Sequence, residues 1–388
     1  MTSSPSLVPR VDFPAADEYV YLNSASISLM PLPALRAMEE YERGILSAGT
    51  VSLDEEAEVQ ALDGARSYVA RLIGADEGSV AICSSCTEAL CQLAWAIRPS
   101  GNIVSIDIEF PSVVYPWVRV AKESGAEVRL VRAVDDPASL SLDHIAELVD
   151  DDTSVVCVSH VQYSTGLCLD LADLAELAHA HGALCIVDMT QSAGVIPGDV
   201  KATGIDAAVA TAYKWLCGPF GAAFFYIAPE LFDRLEPALV GWRGTSDMWT
   251  FDATNLTYAA DMRRFEFSTL SYSSAFGLAR SLEYLSAVPV DAVRARGVEL
   301  TDRLADGLDK LGATIVSPRD GARRGSIMTA RFPGRDGELV AAELNRRGVI
   351  VSPRFGATRF SPHLFNTHED IDRALEVLAQ VLDDAPAQ

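Results

Sequence analysis

The chain is short of cations for its size. Its 388 residues carry 31 lysines and arginines against 54 aspartates and glutamates, a formal net charge of −23. Such an excess of carboxylate repels phosphate backbones and anionic lipid, so no nucleic-acid partner and no membrane-surface partner is expected. Long apolar runs are missing as well. The charge-free stretch Thr153–Leu169 is broken by Ser159, His160, Gln162, Ser164 and Thr165, so it does not read as a membrane span. Met1–Arg10 has no basic start followed by an apolar core, and no secretory signal is expected. The seven cysteines are an odd number, and Cys157 and Cys185 sit inside strand-like apolar runs, which reads as reduced, buried thiols in a cytoplasmic protein. No G-x-G-x-x-G joins a strand to a helix, which disfavours a dinucleotide site. No metal is expected either. Cys83-Ser-Ser-Cys86 has no second CxxC pair, and His179 and His181 lie two apart on a predicted helix and face different ways. Asp150-Asp151-Asp152 reads as a solvated loop.

What remains is an ordinary globular composition, 49% hydrophobic and 22% charged, on a chain long enough for two domains. Strands are expected at Ser79–Ile82, Asn102–Ile108, Glu127–Val131, Ser154–Val161, Ala183–Asp188, Ala207–Ala212 and Ala222–Ile227. Amphipathic stretches such as Tyr115–Ser124 and Leu171–His181 lie between them. The apolar runs are continuous, not alternating, as in strands covered on both faces. This predicts an α/β domain around a mostly parallel seven-stranded sheet. After about Phe267 the rhythm changes to helices (Ser273–Ser286, Asp291–Leu311), short strands (Ala313–Val316, Ser326–Phe332, Val349–Ser352) and a last helix, Glu369–Leu382. The predicted organisation is an N-terminal arm over 1–20, a large domain over 21–266 and a smaller α+β domain over 267–388.

The chemistry concentrates in Leu184–Gly221. The strand Leu184–Val187 ends in Asp188, with Gln191 three residues on. The strand Ala207–Ala212 leads into Tyr213-Lys214-Trp215 and then Gly218-Pro-Phe-Gly221. Ligands of open parallel sheets sit at the carboxyl ends of strands, so Asp188 and Lys214 should point into one crevice. Alone, the first reads as a turn residue and the second as a surface lysine. Together they suit pyridoxal 5′-phosphate (PLP): lysine forms the Schiff base, and the carboxylate pairs with the pyridinium nitrogen and keeps it protonated.

The segments His179-Ala-His-Gly-Ala, Val187-Asp188-Met-Thr-Gln191-Ser-Ala-Gly, Tyr213-Lys214-Trp and Gly218-Pro-Phe-Gly221 resemble the class V aminotransferase family of fold-type I PLP enzymes. The family includes cysteine desulfurases, kynureninases, isopenicillin-N epimerase-like proteins and C–S lyases. The resemblance runs from about Tyr21 to Asp370 and implies the fold-type I architecture and a homodimer with a shared site. It also implies that Lys214 and Asp188 are catalytic and that Gln191 hydrogen-bonds the cofactor's phenolic oxygen. Cys86 and Thr87, after a strand and at a helix start in Ser84-Ser85-Cys86-Thr87-Glu88-Ala89, are the implied phosphate donors. Thr211, Tyr213 and Trp242 are further implied cofactor contacts, and Thr269 matches a threonine that reaches the neighbouring subunit's phosphate. Ser268 stands beside it where the family usually has glycine. Phe110 occupies the position of the residue stacked on the cofactor ring, where desulfurases have a histidine, and phenylalanine can stack but cannot titrate. Tyr163 resembles the kynureninase-like branch, where desulfurases carry asparagine. Arg359, in Thr358-Arg359-Phe-Ser-Pro-His-Leu-Phe-Asn366-Thr, matches the family's carboxylate-binding arginine, with Arg354 a second candidate for that role. Asn23 and Ser26, in Asn23-Ser24-Ala25-Ser26, match the segment lining the substrate side.

A desulfurase needs a nucleophilic cysteine just before the carboxylate arginine, and Val351–Arg359 contains none. The reading is therefore β-elimination from a cysteine S-conjugate, as in the C–S lyase branch, with some resemblance to sulfur-processing enzymes of secondary metabolism. Transamination, epimerisation and decarboxylation-linked deamination are the alternatives on the same scaffold. A non-catalytic binding protein is a further one, although a binder has no need of a lysine poised beside a pyridinium carboxylate.

Overall fold

Residues 155–158 show why the sheet is covered on both faces. Val155 and Cys157 belong to one buried cluster with Trp117, Leu90 and Leu93, whereas Val156 and Val158 belong to another with Val69, Leu174 and Leu278. Side chains alternate across a strand, so a run with no polar position must meet apolar partners above and below. The computed structural model describes residues 5–133, 135 and 137–384. Residues 1–4 of the predicted arm and 385–388 of the predicted small domain lie outside the described residues.

Seven strands form the large sheet: β1 (Val80–Cys83), β2 (Asn102–Ile106), β3 (Glu127–Val131), β4 (Thr153–Ser159), β5 (Leu184–Asp188), β6 (Ala207–Thr211) and β7 (Ala223–Ile227). Their spatial order is β1-β7-β6-β5-β4-β2-β3. The pairings β2·β3, β2·β4, β4·β5 and β5·β6 are parallel, whereas β7 runs antiparallel to both β1 and β6. The sheet is thus mixed, with a parallel centre. The chain moves outward from β2 to β3 and in the opposite sense from β4 to β5, so a crevice opens at the carboxyl ends of β2 and β4. The helices Cys86–Ile97 and Pro111–Ser124 cover one face. Asp63–Ile73, Leu171–Ala180 and Tyr272–Leu285 cover the other.

The second sheet is small and wholly antiparallel: β8 (Thr314–Ile315), β9 (Met328–Arg331), β10 (Ser352–Arg354) and β11 (Ala357–Phe360), in the order β10-β11-β9-β8. Leu300, Leu304, Leu344, Ile371 and Leu378 from the flanking helices bury one side of it. The expected strand Val349–Ser352 is in fact split. Val349 and Ile350 pair in parallel with Val20 and Tyr21, while Ser352 begins β10. That parallel pair stitches the N-terminal segment to the small sheet, and Asn23 continues it with a bridge to Ser361. No helix among the described residues is long and apolar enough to cross a membrane.

Candidate active site

β5 delivers Asp188 between Ser159 of β4 and Val209 of β6, all three in register. The carboxylate is 5% exposed. Its Oδ1 accepts the Thr190 N–H at 2.7 Å, and its Oδ2 accepts the Cys86 thiol at 3.4 Å. Lys214 arrives from the next strand over a tight turn in which the Gly218 N–H reaches the Ala212 carbonyl at 2.9 Å. Glycine is needed there because a Cβ at 218 would stand 2.9 Å from the Ala212 Cβ. Lys214 is 9% exposed, and burial lowers its pKa to about 8. Asp188 opposes that shift, while the charges of Arg359 and Arg354 add to it. Its Nζ lies 5.5 Å from the Phe110 ring centroid and 5.9 Å from that of Tyr213. Near neutral pH this amine is therefore unusually ready to give up its proton.

Gln191 is held by both ends of its amide. Oε1 accepts the Trp215 indole N–H at 2.7 Å and Nε2 donates to the Ala25 carbonyl at 3.0 Å, which fixes the amide's orientation. The Trp215 carbonyl in turn meets Nε2 of buried His363 at 3.0 Å. Across the crevice, the helix Cys86–Ile97 begins at Ser85, whose side chain accepts the Glu88 N–H at 3.1 Å. The Ala89 N–H goes to the Ser85 carbonyl, which leaves the Cys86 and Thr87 N–H groups without a protein acceptor among the described residues. The Thr87 hydroxyl is exposed and 2.7 Å from the Ser112 hydroxyl. Thr211 is buried beside Thr190, and Tyr213 stacks on Phe220 at 4.5 Å.

Phe110 follows β2 and sits directly after a residue that the sequence did not mark. Glu109 is buried, and its carboxylate accepts the Ser159 N–H at 2.7 Å, the Ser159 hydroxyl, and the Gln162 amide at 2.6 Å. Burial raises its pKa to about 7, with nearby Asp188 adding a smaller push. The only hint was an acid placed just past an apolar strand. Glu109 thereby ties the Phe110 turn to the Ser159–Tyr163 segment.

The third corner is built by the small sheet. Arg359 pairs with Ser352 and Thr329 in register and is fully buried. Nη1 donates to the Tyr163 carbonyl at 2.6 Å, and Nη2 donates to the Ser26 hydroxyl at 2.6 Å. Arg354 also reaches the Ser26 hydroxyl, at 3.3 Å. The Ser352 hydroxyl lies 2.8 Å from that of Ser26 and donates to Asn23 Oδ1 at 2.5 Å. Burial and mutual repulsion lower the pKa of Arg359 well below its usual value, and burial lowers that of Arg354. Among the described residues neither arginine has a carboxylate partner. In a chain with a net charge of −23, two uncompensated guanidinium groups on one hydroxyl make a ready anion site.

Trp242 does not meet these residues but packs on Trp249, with centroids 5.4 Å apart. Thr269, expected at the neighbouring subunit's phosphate, is exposed beside Tyr272. No hydrogen bond or ring contact among the described residues links either one to Asp188 or Lys214. All seven cysteines are free thiols. Among the described residues no group of three or more His, Cys, Asp or Glu is placed to hold a metal ion. His179 and His181 reach different carboxylates, Asp206 at 2.8 Å and Asp151 at 2.9 Å.

Comparison with known proteins follows the same lines. A protein of Bacillus subtilis (strain 168) named "Uncharacterized aminotransferase YcbU" is 31% identical over 369 residues, covering 95% of each chain. A kynureninase of Pseudomonas fluorescens is 30% identical, covering 97% of this chain and 93% of its own. The apo structure of a cysteine desulfurase from Thermococcus onnurineus NA1 superposes with a TM-score of 0.87 at 26% identity, over 99% of this chain and 100% of that one. That likeness makes the two-sheet architecture the fold of the fold-type I PLP enzymes. The family model "Aminotransferase class-V" matches residues 20–373, and the chain belongs to that PLP-dependent family.

Proposed function

We propose that the chain is a PLP enzyme that works at Cα and Cβ of an amino-acid substrate, as a C–S β-lyase on a cysteine S-conjugate. The residues present fit the cofactor. The unpartnered Cys86 and Thr87 N–H groups at a helix N-terminus suit a phosphate, buried Asp188 suits a pyridinium N–H, and buried Lys214 suits an aldehyde carbon. When bound, PLP supplies the electron sink that makes bonds at the substrate Cα breakable. Phe110 covers one face of the crevice and Gln191 offers the second N–H of its fixed amide. Arg359, held by Tyr163 and Ser26, takes the α-carboxylate in a forked grip. Lys214 Nζ, whose hold on its own proton is weakened by burial, takes the proton from Cα. The Cβ–S bond then breaks, the thiolate leaves and collects a proton, and the remaining enamine hydrolyses to pyruvate and ammonia.

The observation that carries the choice of reaction is the β10–β11 hairpin. Arg354 pairs with Ala357, so only Phe355 and Gly356 form the loop before Arg359. A persulfide carrier would need a thiol on a loop able to reach the substrate sulfur. This connection holds no cysteine and has no length to swing. Sulfur therefore leaves with its substituent as a thiol. Aminotransfer is the second reading, favoured by the name of the 31% identical relative from Bacillus subtilis. The test is the cofactor absorption of the holoenzyme with S-benzyl-L-cysteine and a panel of common amino acids. Thiol and pyruvate accumulating while the band recovers unaided support the lyase. A band that stays bleached until a 2-keto acid is supplied would establish a transaminase.

A further inference from the structure

Three aromatic rings from separate segments meet beside Arg359. Phe110 follows β2, Tyr163 follows β4, and Phe355 tips the β10–β11 hairpin. The Phe110 and Tyr163 rings meet edge to face at 5.6 Å, and Tyr163 and Phe355 are 6.3 Å apart with their planes inclined at 57°. The Arg354 guanidinium carbon stands 5.9 Å from the Tyr163 ring centroid. Yet the row is not a core: Phe110 is 46% exposed and Phe355 is 55% exposed.

Phe355 is the informative member. Both loop residues of the hairpin have positive φ, +50° at Phe355 and +71° at Gly356. Tight hairpins of this kind favour Asn-Gly or Asp-Gly, because a side chain branching into an aromatic ring is poorly suited to the left-handed region. Folding alone would place asparagine at 355. A strained ring that is more than half open to solvent, next to two arginines without acid partners, is placed for something outside the chain.

On the reading proposed above, an amino-acid substrate turns its amino group to Lys214 and its carboxylate to Arg359, whose guanidinium also holds the Tyr163 carbonyl. The third substituent of Cα then leaves along the ring row. We propose that Tyr163 and Phe355, with the edge of Phe110, form a subsite for an apolar, ring-sized group carried beyond Cβ. The substrate class is thus an α-amino acid bearing an aryl or similarly flat-faced substituent, not free cysteine. This rests on the amino-acid reading above but not on elimination as the reaction.

The test compares two amino acids of equal backbone and no sulfur, L-homophenylalanine and L-2-aminobutyrate, by titrating the holoenzyme's cofactor absorption. The ring-bearing ligand should half-saturate at roughly tenfold lower concentration, a contrast of the size that aromatic contacts give. Phe355→Asn, which suits the turn and should not lower the melting temperature, should weaken homophenylalanine roughly tenfold and leave 2-aminobutyrate unchanged. Phe355→Leu provides the same comparison with an apolar side chain and should fall between the two. If the parent enzyme binds both ligands alike, or the variants weaken both alike, the subsite does not exist. Intact ring preference in Phe355→Asn together with a changed solution mass would assign Phe355 to a contact between two copies of the chain. If neither amino acid perturbs the band, the amino-acid reading itself fails.

Discussion

The guanidinium of Arg359 donates to the main-chain carbonyl of Tyr163 at 2.6 Å, so a strand of the small sheet grips the segment that leaves the centre of the large one. One arginine thus ties the small sheet to the rim of the crevice. A second partner, Ser26, comes from the N-terminal segment held by the Val20–Tyr21 and Val349–Ile350 pair. Three distant stretches of chain converge on one side chain.

Arg359→Lys separates gripping from merely being positive. Lysine keeps the charge but has no planar fork, and it cannot serve Tyr163, Ser26 and a carboxylate together. KM for the amino-acid substrate should rise roughly 100-fold with a much smaller change in kcat, since a two-pronged charged contact to a bound carboxylate is lost. Steady-state kinetics with a matching melting curve checks this. An unchanged KM would remove Arg359 from substrate binding.

Lys214 carries a pH signature that can be read without cofactor. Its pKa falls from the ordinary 10.5 to about 8 because burial disfavours the charged amine. Between those values the unfolded chain holds the proton and the folded chain does not, so stability rises with pH across this window. Below pH 8 both states are charged and the folded state bears the full cost, on the order of 3 kcal/mol from the shift. In the apo protein Lys214→Met should therefore be more stable than the parent by about that amount at pH 7. The advantage should shrink from pH 8 upward and vanish near pH 10.5. Denaturant unfolding of both apo proteins at pH 7, 9 and 10.5 measures it, and a constant difference would contradict the buried-amine account.

Asp188 and Lys214 were legible in the sequence because each follows a strongly apolar run. Asp188 and Lys214 mark where β5 and β6 run out of valine, isoleucine and alanine, and a parallel sheet sends both ends into the same crevice. Arg359 was found through its flanking motif, although its strand was not. Ala357–Phe360 is short, with a threonine and an arginine in the middle, and it is a strand only because β9 and β10 flank it. Pairing of that kind is long-range and leaves little local trace. Glu109 was invisible for a related reason. An acid after a strand normally ends in water, and only the folded chain shows the Ser159 and Gln162 donors waiting for it. Nothing local marked Phe355 as sharing the positive φ of Gly356.

The same contrast applies to the ion pair that anchors β1. Arg66 Nη2 donates to both oxygens of Glu266, at 3.0 and 2.9 Å, and Glu266 Oε1 also accepts the Ile82 N–H at 2.9 Å. Glu266 is 1% exposed and cannot turn to water if Arg66 is lost, whereas Arg66, 6% exposed, also pairs with Asp63 on its own helix. Burial pushes the Glu266 pKa up even with the guanidinium beside it, whereas Glu266 and Asp63 together push that of Arg66 up. Glu266→Ala should cost about 3 kcal/mol, because it leaves the buried Arg66 with Asp63 as its remaining acid partner and strands the Ile82 N–H. Arg66→Met alone should cost a similar amount by stranding the carboxylate. The double variant Arg66→Met with Glu266→Gln leaves no buried charge and keeps an acceptor for the Ile82 N–H. It should lie within about 2 kcal/mol of the parent, well short of the sum of the single losses. Urea unfolding of the four proteins reads the coupling directly. Single losses that simply add would mean that Arg66 and Glu266 act independently.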